Sequence, residues 1–397
     1  MSESESSSIS SRIAALAEDV QAEYIYEEAR LEALKAARKL LAKLEPPMER
    51  MAHDVLLWYP HFMALRMGVQ LEIFSQISKC SDTGIHLNTI AEKTQASPIL
   101  VGQILRLLAA TGYVDQHDVE NFKPTALTMI MVDPVIEAST RASFDLGLSS
   151  TMKAPEFFRK NNNQFPGSIS NTPLQLALDT KLTIFEWLGQ NPESAKDFQQ
   201  MMKLRQQVTS NWVEWFDIQR HIIDGSEPRS PENVLLVDIG GGEGHYLRQF
   251  SEKFPRAPGR LILQELPDVI RGIQSPPEDV ELMPHDFFTP QTIKGARAYF
   301  MHWILHDWSD ENCHTILAHI ADAMKPGYSR LIIHEQILPD MNCDAEAAGM
   351  SIIMMVQMGA LERTETQWRA LLESVGLHTI QFNRAPVSGE GIIEAIK

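Results

Sequence analysis

Apolar residues recur at helical spacing from Ile13 to Leu44 (Ile13, Leu16, Val20, then Leu31, Leu34, Leu41, Leu44), with Glu, Lys and Arg between them. The period predicts one long amphipathic helix, which Pro46-Pro47 stops. The polar residues before it, 1 to about 10, read as a disordered tail. So long an amphipathic face needs a partner, and another subunit would supply one. Leu56 to Ile77 is apolar enough for a buried helix pair.

Between residues 86 and 123 the pattern predicts a small helix-turn-helix with a wing. His86-Leu-Asn-Thr-Ile-Ala-Glu-Lys is a short helix. Ser97-Pro98 is an N-cap and N1 pair opening a second helix from Ile99 to Thr111. Gly112 ends that helix, and a hairpin runs from Tyr113 through Phe122. Residues 125 to about 225 carry aromatic-rich helical patterns, Ile184-Phe-Glu-Trp-Leu188 and Trp212-Val-Glu-Trp-Phe216, and no strand signal. From about residue 230 strands alternate with helices: Val234–Ile239, Leu261–Gln264, Val280–Met283, Ala298–Met301 and Leu331–His334, then a hairpin around His378–Asn383 and Gly391–Ala395. This is a doubly wound α/β pattern. The chain divides into a helical, winged-helix-like part (1–124), a helical linker (125–228) and an α/β domain (229–397).

Composition narrows the partners. A formal net charge of −17 disfavours nucleic acid and anionic membrane surfaces. The second helix of the helix-turn-helix carries one basic residue, Arg106, so a structural or dimerisation role outweighs DNA reading. Cys80, Cys313 and Cys343 are too scattered for a disulfide framework or a zinc site, and no metal ligand set is expected. The acidic, Ser-rich N-terminus is neither a signal nor a transit peptide, and no apolar run approaches the ~20 residues of a membrane span. A cytoplasmic enzyme is the expectation.

The chemistry concentrates after residue 234. Val234-Leu-Leu-Val-Asp-Ile-Gly-Gly-Gly-Glu-Gly244 is a strand, a glycine turn and the start of a helix, the order of a nucleotide-cradling site. Asp238 and Glu243 bracket Gly240, Gly241 and Gly242; a pyrophosphate would be repelled there, whereas an α-ammonium and a sulfonium would be welcome. The loop therefore points to S-adenosylmethionine before NAD. Glu265, 23 residues after Gly242, ends the second strand, where a carboxylate can accept both ribose hydroxyls. Asp286 can accept from an adenine amino group, with Phe287 against its face.

Tyr299-Phe-Met-His-Trp-Ile-Leu-His-Asp-Trp-Ser-Asp-Glu311 passes from a strand into a loop at the edge where open α/β sheets bind ligands. His306 in that loop, with a pKa near neutral, suits the removal of a proton from an acceptor hydroxyl, a contribution of about 10²–10⁴-fold. Glu335 and Glu362 are the acids that would fix its tautomer. Met350, Met354, Met355 and Met358 fit core filling or an adaptable pocket for a flat aromatic substrate.

Together these residues resemble the plant- and fungal-type S-adenosylmethionine-dependent O-methyltransferases, the caffeate O-methyltransferase-like group. Val237-Asp-Ile-Gly-Gly-Gly-Glu-Gly244 is similar to their cofactor motif and Glu265-Leu-Pro to their ribose-binding Asp-Leu-Pro. His306-Asp-Trp-Ser-Asp310 is similar to their catalytic His-Asp-Trp, and Glu362-Arg-Thr364 to their C-terminal acidic motif. The resemblance covers roughly residues 50 to 397. It implies a Rossmann-like methyltransferase domain and a homodimer built through the N-terminal winged-helix-like domain. It also implies a cofactor contact at His302, where plant members carry Lys, and His306 as base between Glu335 and Glu362. The expected substrate is a small aromatic or polyketide-like hydroxyl compound. The competing expectation is a relative that keeps the cofactor for its charge and catalyses a dehydration or pericyclic rearrangement.

Overall fold

The computed structural model describes residues 3–19, 27–80, 83–208, 211–227, 233–386 and 389–397. Its strands are β1 (Ile85–His86), β2 (Val114–Gln116), β3 (Asn121–Pro124), β4 (Val234–Ile239), β5 (Arg260–Glu265), β6 (Val280–Pro284), β7 (Ala298–His302), β8 (Arg330–Leu338), β9 (Arg363–Thr364), β10 (His378–Arg384) and β11 (Glu390–Ile396). The chain falls into two compact units, Met1–Leu65 and Arg66–Lys397.

The first unit is helical. The described residues of the expected helix from Ile13 to Leu44 are helical, in Glu3–Asp19 and Glu27–Leu44; residues 20–26, with Val20, lie outside the described residues. The expected disordered tail is helix from Glu3 onward. Pro47 occupies the first position of the helix Pro47–Leu56, consistent with a helix stop at Pro46-Pro47. The buried pair expected from Leu56 is corrected. Trp58, Tyr59 and Met63 are exposed, and the first buried residue of the segment is Ala64, with Val69, Ile73, Phe74 and Ile77 buried after it.

The second unit opens within the helix Trp58–Gln70 and continues with the helix Ile73–Ser78, whose preceding residue, Glu72, takes a left-handed conformation that turns the chain. Helices Leu87–Lys93 and Pro98–Ala110 follow, then the β2–β3 hairpin, with β1 completing a three-stranded sheet in the order β1-β3-β2. Ser97 and Pro98 begin the second helix as their types dictate, although the Ser97 side chain makes no cap hydrogen bond. The middle of the chain is helical among the described residues. Leu146, Leu174, Ile184 and Leu188 pack with Met354 and Met358 of the helix Ala345–Met358, so two of the four methionines are core filling.

The large sheet runs β10-β11-β8-β7-β4-β5-β6, with β9 beside the end of β8. Strands β6, β5, β4, β7 and β8 are parallel, and β11 and β10 add antiparallel. β4 is buried along its whole length, as its unbroken apolar run requires of a parallel strand covered on both faces. Tyr299, Met301, Leu331 and Ile333 join one core layer with Ile316, Ile320 and Trp368. The alternate residues Ala298, Phe300 and Ile332 join the other with Trp212 and Phe250. Trp212 lies fully buried, 4.6 Å from the Phe300 ring. The chain leaves β4 in one direction, to β5, and returns across it to β7. The crevice at the carboxyl ends of β4 and β7 is the topological switch point, where such sheets hold ligands.

Candidate active site

The glycine turn leaves β4 at that crevice. Gly240 N–H donates to the Gln264 carbonyl at 2.8 Å, tying the turn to the end of β5. A Cβ at Gly241 would overlap the Asp238 carboxyl group and the Leu263 side chain, so only glycine lets the loop lie over Asp238. Gly242 has a φ of +58° and faces open space, and its N–H donates to Glu265 Oε1 at 3.2 Å. The other Glu265 oxygen accepts from Leu266 N–H at 2.7 Å. Glu265 therefore stands against the glycine turn. Phe287 reaches the Gly240 backbone, and Ile304 closes over the same glycine. Asp286 is exposed and accepts from Phe288 N–H at 2.9 Å, an ordinary turn contact that brings no other site residue to it.

Asp238 is the informative group. It is buried, and neither carboxylate oxygen has a hydrogen-bond partner. Burial, then the nearby Glu265 charge, pushes its pKa up to about 8. A carboxylate left this way is costly unless a cation meets it. An ammonium-bearing cofactor fits that requirement, whereas a pyrophosphate would worsen it. His302 ends β7 at the same edge, its Nε2 at 2.9 Å from the Tyr246 hydroxyl. The next residue, Trp303, has a φ of +51°, rare for a bulky side chain, and such strain clusters at functional turns.

That strained turn delivers His306. Residues Leu305–Asp307 form a single 3₁₀ turn, and His306 is buried. Its Nδ1 lies 3.0 Å from Glu362 Oε1 and 3.8 Å from Glu335 Oε2, and its Nε2 lies 3.5 Å from Asp307 Oδ1. Glu335 on β8 also accepts from Ile304 N–H at 3.0 Å and Leu305 N–H at 2.9 Å, so it holds the turn as well as facing the ring. The three expected residues converge, from β8, the turn after β7 and the residue before β9. The Glu362 contact sets the Nδ1 proton toward that carboxylate, while Nε2 faces the Asp307 side of the turn.

The expectation of a near-neutral histidine is corrected. Burial by itself would lower the His306 pKa, but the charges of Glu335, Glu362 and Asp307 outweigh it and lift the value to about 10. Burial lifts Glu335 to about 7, with His306 partly offsetting it. The cluster is a proton-sharing unit, and its affinity for protons is high because three acids face one ring.

Two contributors escape motif reading. Asp307 follows His306 within the quoted segment, yet only the turn shows that its carboxylate faces the ring. Arg363, fully buried, donates to the Leu305 carbonyl at 2.8 Å and the Trp308 carbonyl at 2.9 Å, and its Nε reaches Asp310 at 2.9 Å. It thus clamps both ends of the His306 turn from the segment that supplies Glu362. It stands within the quoted Glu362-Arg-Thr364, but only the fold shows that it grips the His306 turn.

Residues 179–378 match the family model described as an O-methyltransferase domain. The chain is 36% identical to the O-methyltransferase asqD of Emericella nidulans, over 84% of this chain and 86% of that protein. It is 35% identical to the demethylsterigmatocystin 6-O-methyltransferase of Aspergillus parasiticus, over 83% and 84%. Among solved structures, LepI in complex with S-adenosylmethionine aligns with a TM-score of 0.83 and 28% identity over the whole of both chains. A pericyclic reaction enzyme aligns at 0.84 and 29%, over 98% of this chain and all of that one.

Proposed function

The chain belongs to the S-adenosylmethionine-dependent O-methyltransferases, and on that premise we propose that His306 takes the proton from the acceptor hydroxyl of a small phenolic or enolic secondary metabolite. The observation that carries this reading is the convergence of His306, Glu335 and Glu362 on the turn beside the glycine loop. When bound, S-adenosylmethionine supplies a methyl group on a positively charged sulfur that is already a good leaving group. What falls to the protein is to position the acceptor and remove its proton.

In this reading Glu362 fixes the His306 tautomer and orients Nε2 toward the hydroxyl. Glu335 anchors the turn through two backbone N–H groups while contributing charge, and Arg363 anchors it through two carbonyls. The imidazolium value of about 10 matches that of a phenol, also about 10, so proton transfer between them is nearly thermoneutral. Asp238 and Gly240 to Gly242 hold the amino-acid end of the cofactor. Glu265 receives the ribose, and Asp286 and Phe287 receive the adenine; His302 lies against the cofactor at the end of β7. Support comes from the unpaired Asp238 carboxylate and from Glu265 and Phe287 meeting at the glycine turn.

We further read the chain as cytoplasmic and homodimeric, dividing at 1–124, 125–228 and 229–397. The N-terminal winged-helix-like part would serve dimerisation, with no role for nucleic acid. No helix among the described residues is long and apolar enough to cross a membrane. The exposed Met48, Met51, Leu56, Trp58 and Tyr59 give a second copy an apolar surface to cover.

The likeness to a pericyclic reaction enzyme favours a second reading, in which the cofactor's positive charge acts without giving up the methyl. Incubation with methyl-labelled S-adenosylmethionine and a panel of polyketide-type phenols and enols separates the two. Label in the product, matched one-to-one by S-adenosylhomocysteine, is the expected result. Turnover without S-adenosylhomocysteine would overturn the assignment of this chain's own reaction to methyl transfer.

A further inference from the structure

Strand register gathers a second cluster of His and Glu side chains, beside the one around His306. His302 and His334 are register partners on the parallel strands β7 and β8. His334 pairs with Ile392 of β11, so Glu390, two residues earlier, projects on the same face. One donor atom from each of His302, His334 and Glu390 lies within 4.8 Å of the other two. The rings of Trp215, Phe300 and Tyr246 pack around His334 at centroid distances of 5.8, 6.3 and 6.0 Å.

This cluster is incompletely paired. His334 is 1% exposed and Glu390 3% exposed. His334 Nε2 and Glu390 Oε2 approach to 3.3 Å, close enough for an ion pair, yet neither atom makes a hydrogen bond, and His334 Nδ1 has no partner either. Leaving such buried groups unpaired is costly unless a ligand meets them. The 3.3 Å separation equals that of two ligands on a tetrahedral ion with bonds of about 2.0 Å. His302 is only half-buried and opens the cluster to the crevice.

We propose that His302, His334 and Glu390 form a binding site for one divalent transition-metal ion, with Zn²⁺ the best match to two imidazoles and a carboxylate. The ion ties the carboxyl end of β7 and the middle of β8 to the start of β11, within a largely apolar shell that limits water access. It takes no part in group transfer. The site departs from the sequence expectation of no metal, because its three ligands are 32 and 56 positions apart in the chain and only the sheet register makes them neighbours.

The test is Zn²⁺ titration of the chelator-stripped full-length protein against a chromophoric indicator. One equivalent is expected in the wild type. Affinity should fall by about 100-fold or more in His334→Ala and in the isosteric Glu390→Gln, exceeding the loss seen when only a ligand's supporting partner is removed. Glu335→Gln, in the other buried His and Glu cluster, should bind Zn²⁺ as the wild type does. Visible absorption of the Co²⁺-loaded wild type gives a readout that needs no variant, with ligand-field bands expected. Substoichiometric Zn²⁺ binding at micromolar free metal, or absence of those bands, would overturn the proposal. So would loss of binding in Glu335→Gln with retention in Glu390→Gln.

Discussion

Asp238→Asn separates what the buried carboxylate costs the protein from what it does for the cofactor. Its pKa is about 8 in the fold and 3.8 by its ordinary value, with burial the main cause and Glu265 the second. A raised folded value means that the full contribution to stability is present only below about 3.8 and is lost as pH rises toward 8. At pH 7 the penalty spans roughly three pKa units, on the order of 4 kcal/mol at about 1.4 kcal/mol per unit. Asparagine keeps the shape and removes the charge, but its amide is buried without partners, which returns about 1–3 kcal/mol. The cofactor-free variant should therefore melt a few degrees above the wild type at pH 8, with the gap closing as pH falls toward 4. Affinity for S-adenosylhomocysteine, which keeps the α-ammonium, should drop by at least about 100-fold, since stripping one partner from a buried charge pair costs about 3–5 kcal/mol. Differential scanning fluorimetry across pH and isothermal titration provide both readouts. A variant less stable than wild type by the same margin at every pH, or one that binds within about threefold of wild type, would refute the role of Asp238 as an unpaired acid awaiting a cation.

Four further outcomes follow from the structure. Because His306 is held protonated up to about pH 10, kcat/KM should climb through neutral pH into the alkaline range, and Glu362→Gln should move that limb downward; a profile flat from pH 7 upward contradicts the proton-sharing cluster. The stability that His306 contributes is complete below its ordinary value of 6.5 and is lost as pH rises toward 10, so thermal stability should decline over that alkaline window in the wild type and less in His306→Gln. Arg363→Lys keeps the charge but loses the fork that spans Leu305 and Trp308, so kcat should fall at least about tenfold while the dissociation constant for S-adenosylhomocysteine stays unchanged; equal losses in both would make Arg363 a general fold residue. Trp212→Ala, which empties a site packed against Phe300 and Phe250, should cost about 3–5 kcal/mol by chemical denaturation and leave the pH dependence of turnover intact.

The strands of the α/β domain were legible because buried parallel strands leave continuous apolar runs, and Val234–Ile239 carries one with a glycine turn at its end. The exposed approach to Ala64 was misread because hydrophobicity reports what can be buried and says nothing about what covers it.

Chain order alone determined the kind of chemistry. Glycines after a strand, an acid at the end of the next strand, and a histidine after the fourth are local patterns whose physical meaning does not depend on distant contacts. Tertiary structure decided the energetics of those groups. The His306 pKa depends on Glu335 and Glu362, 29 and 56 positions away, and on a dielectric that exists only once the core has closed around them. Arg363 acquired its role because β9 pairs with β8 beside the His306 turn. The His302, His334 and Glu390 cluster exists because sheet register, which no local pattern encodes, sets three side chains on one face.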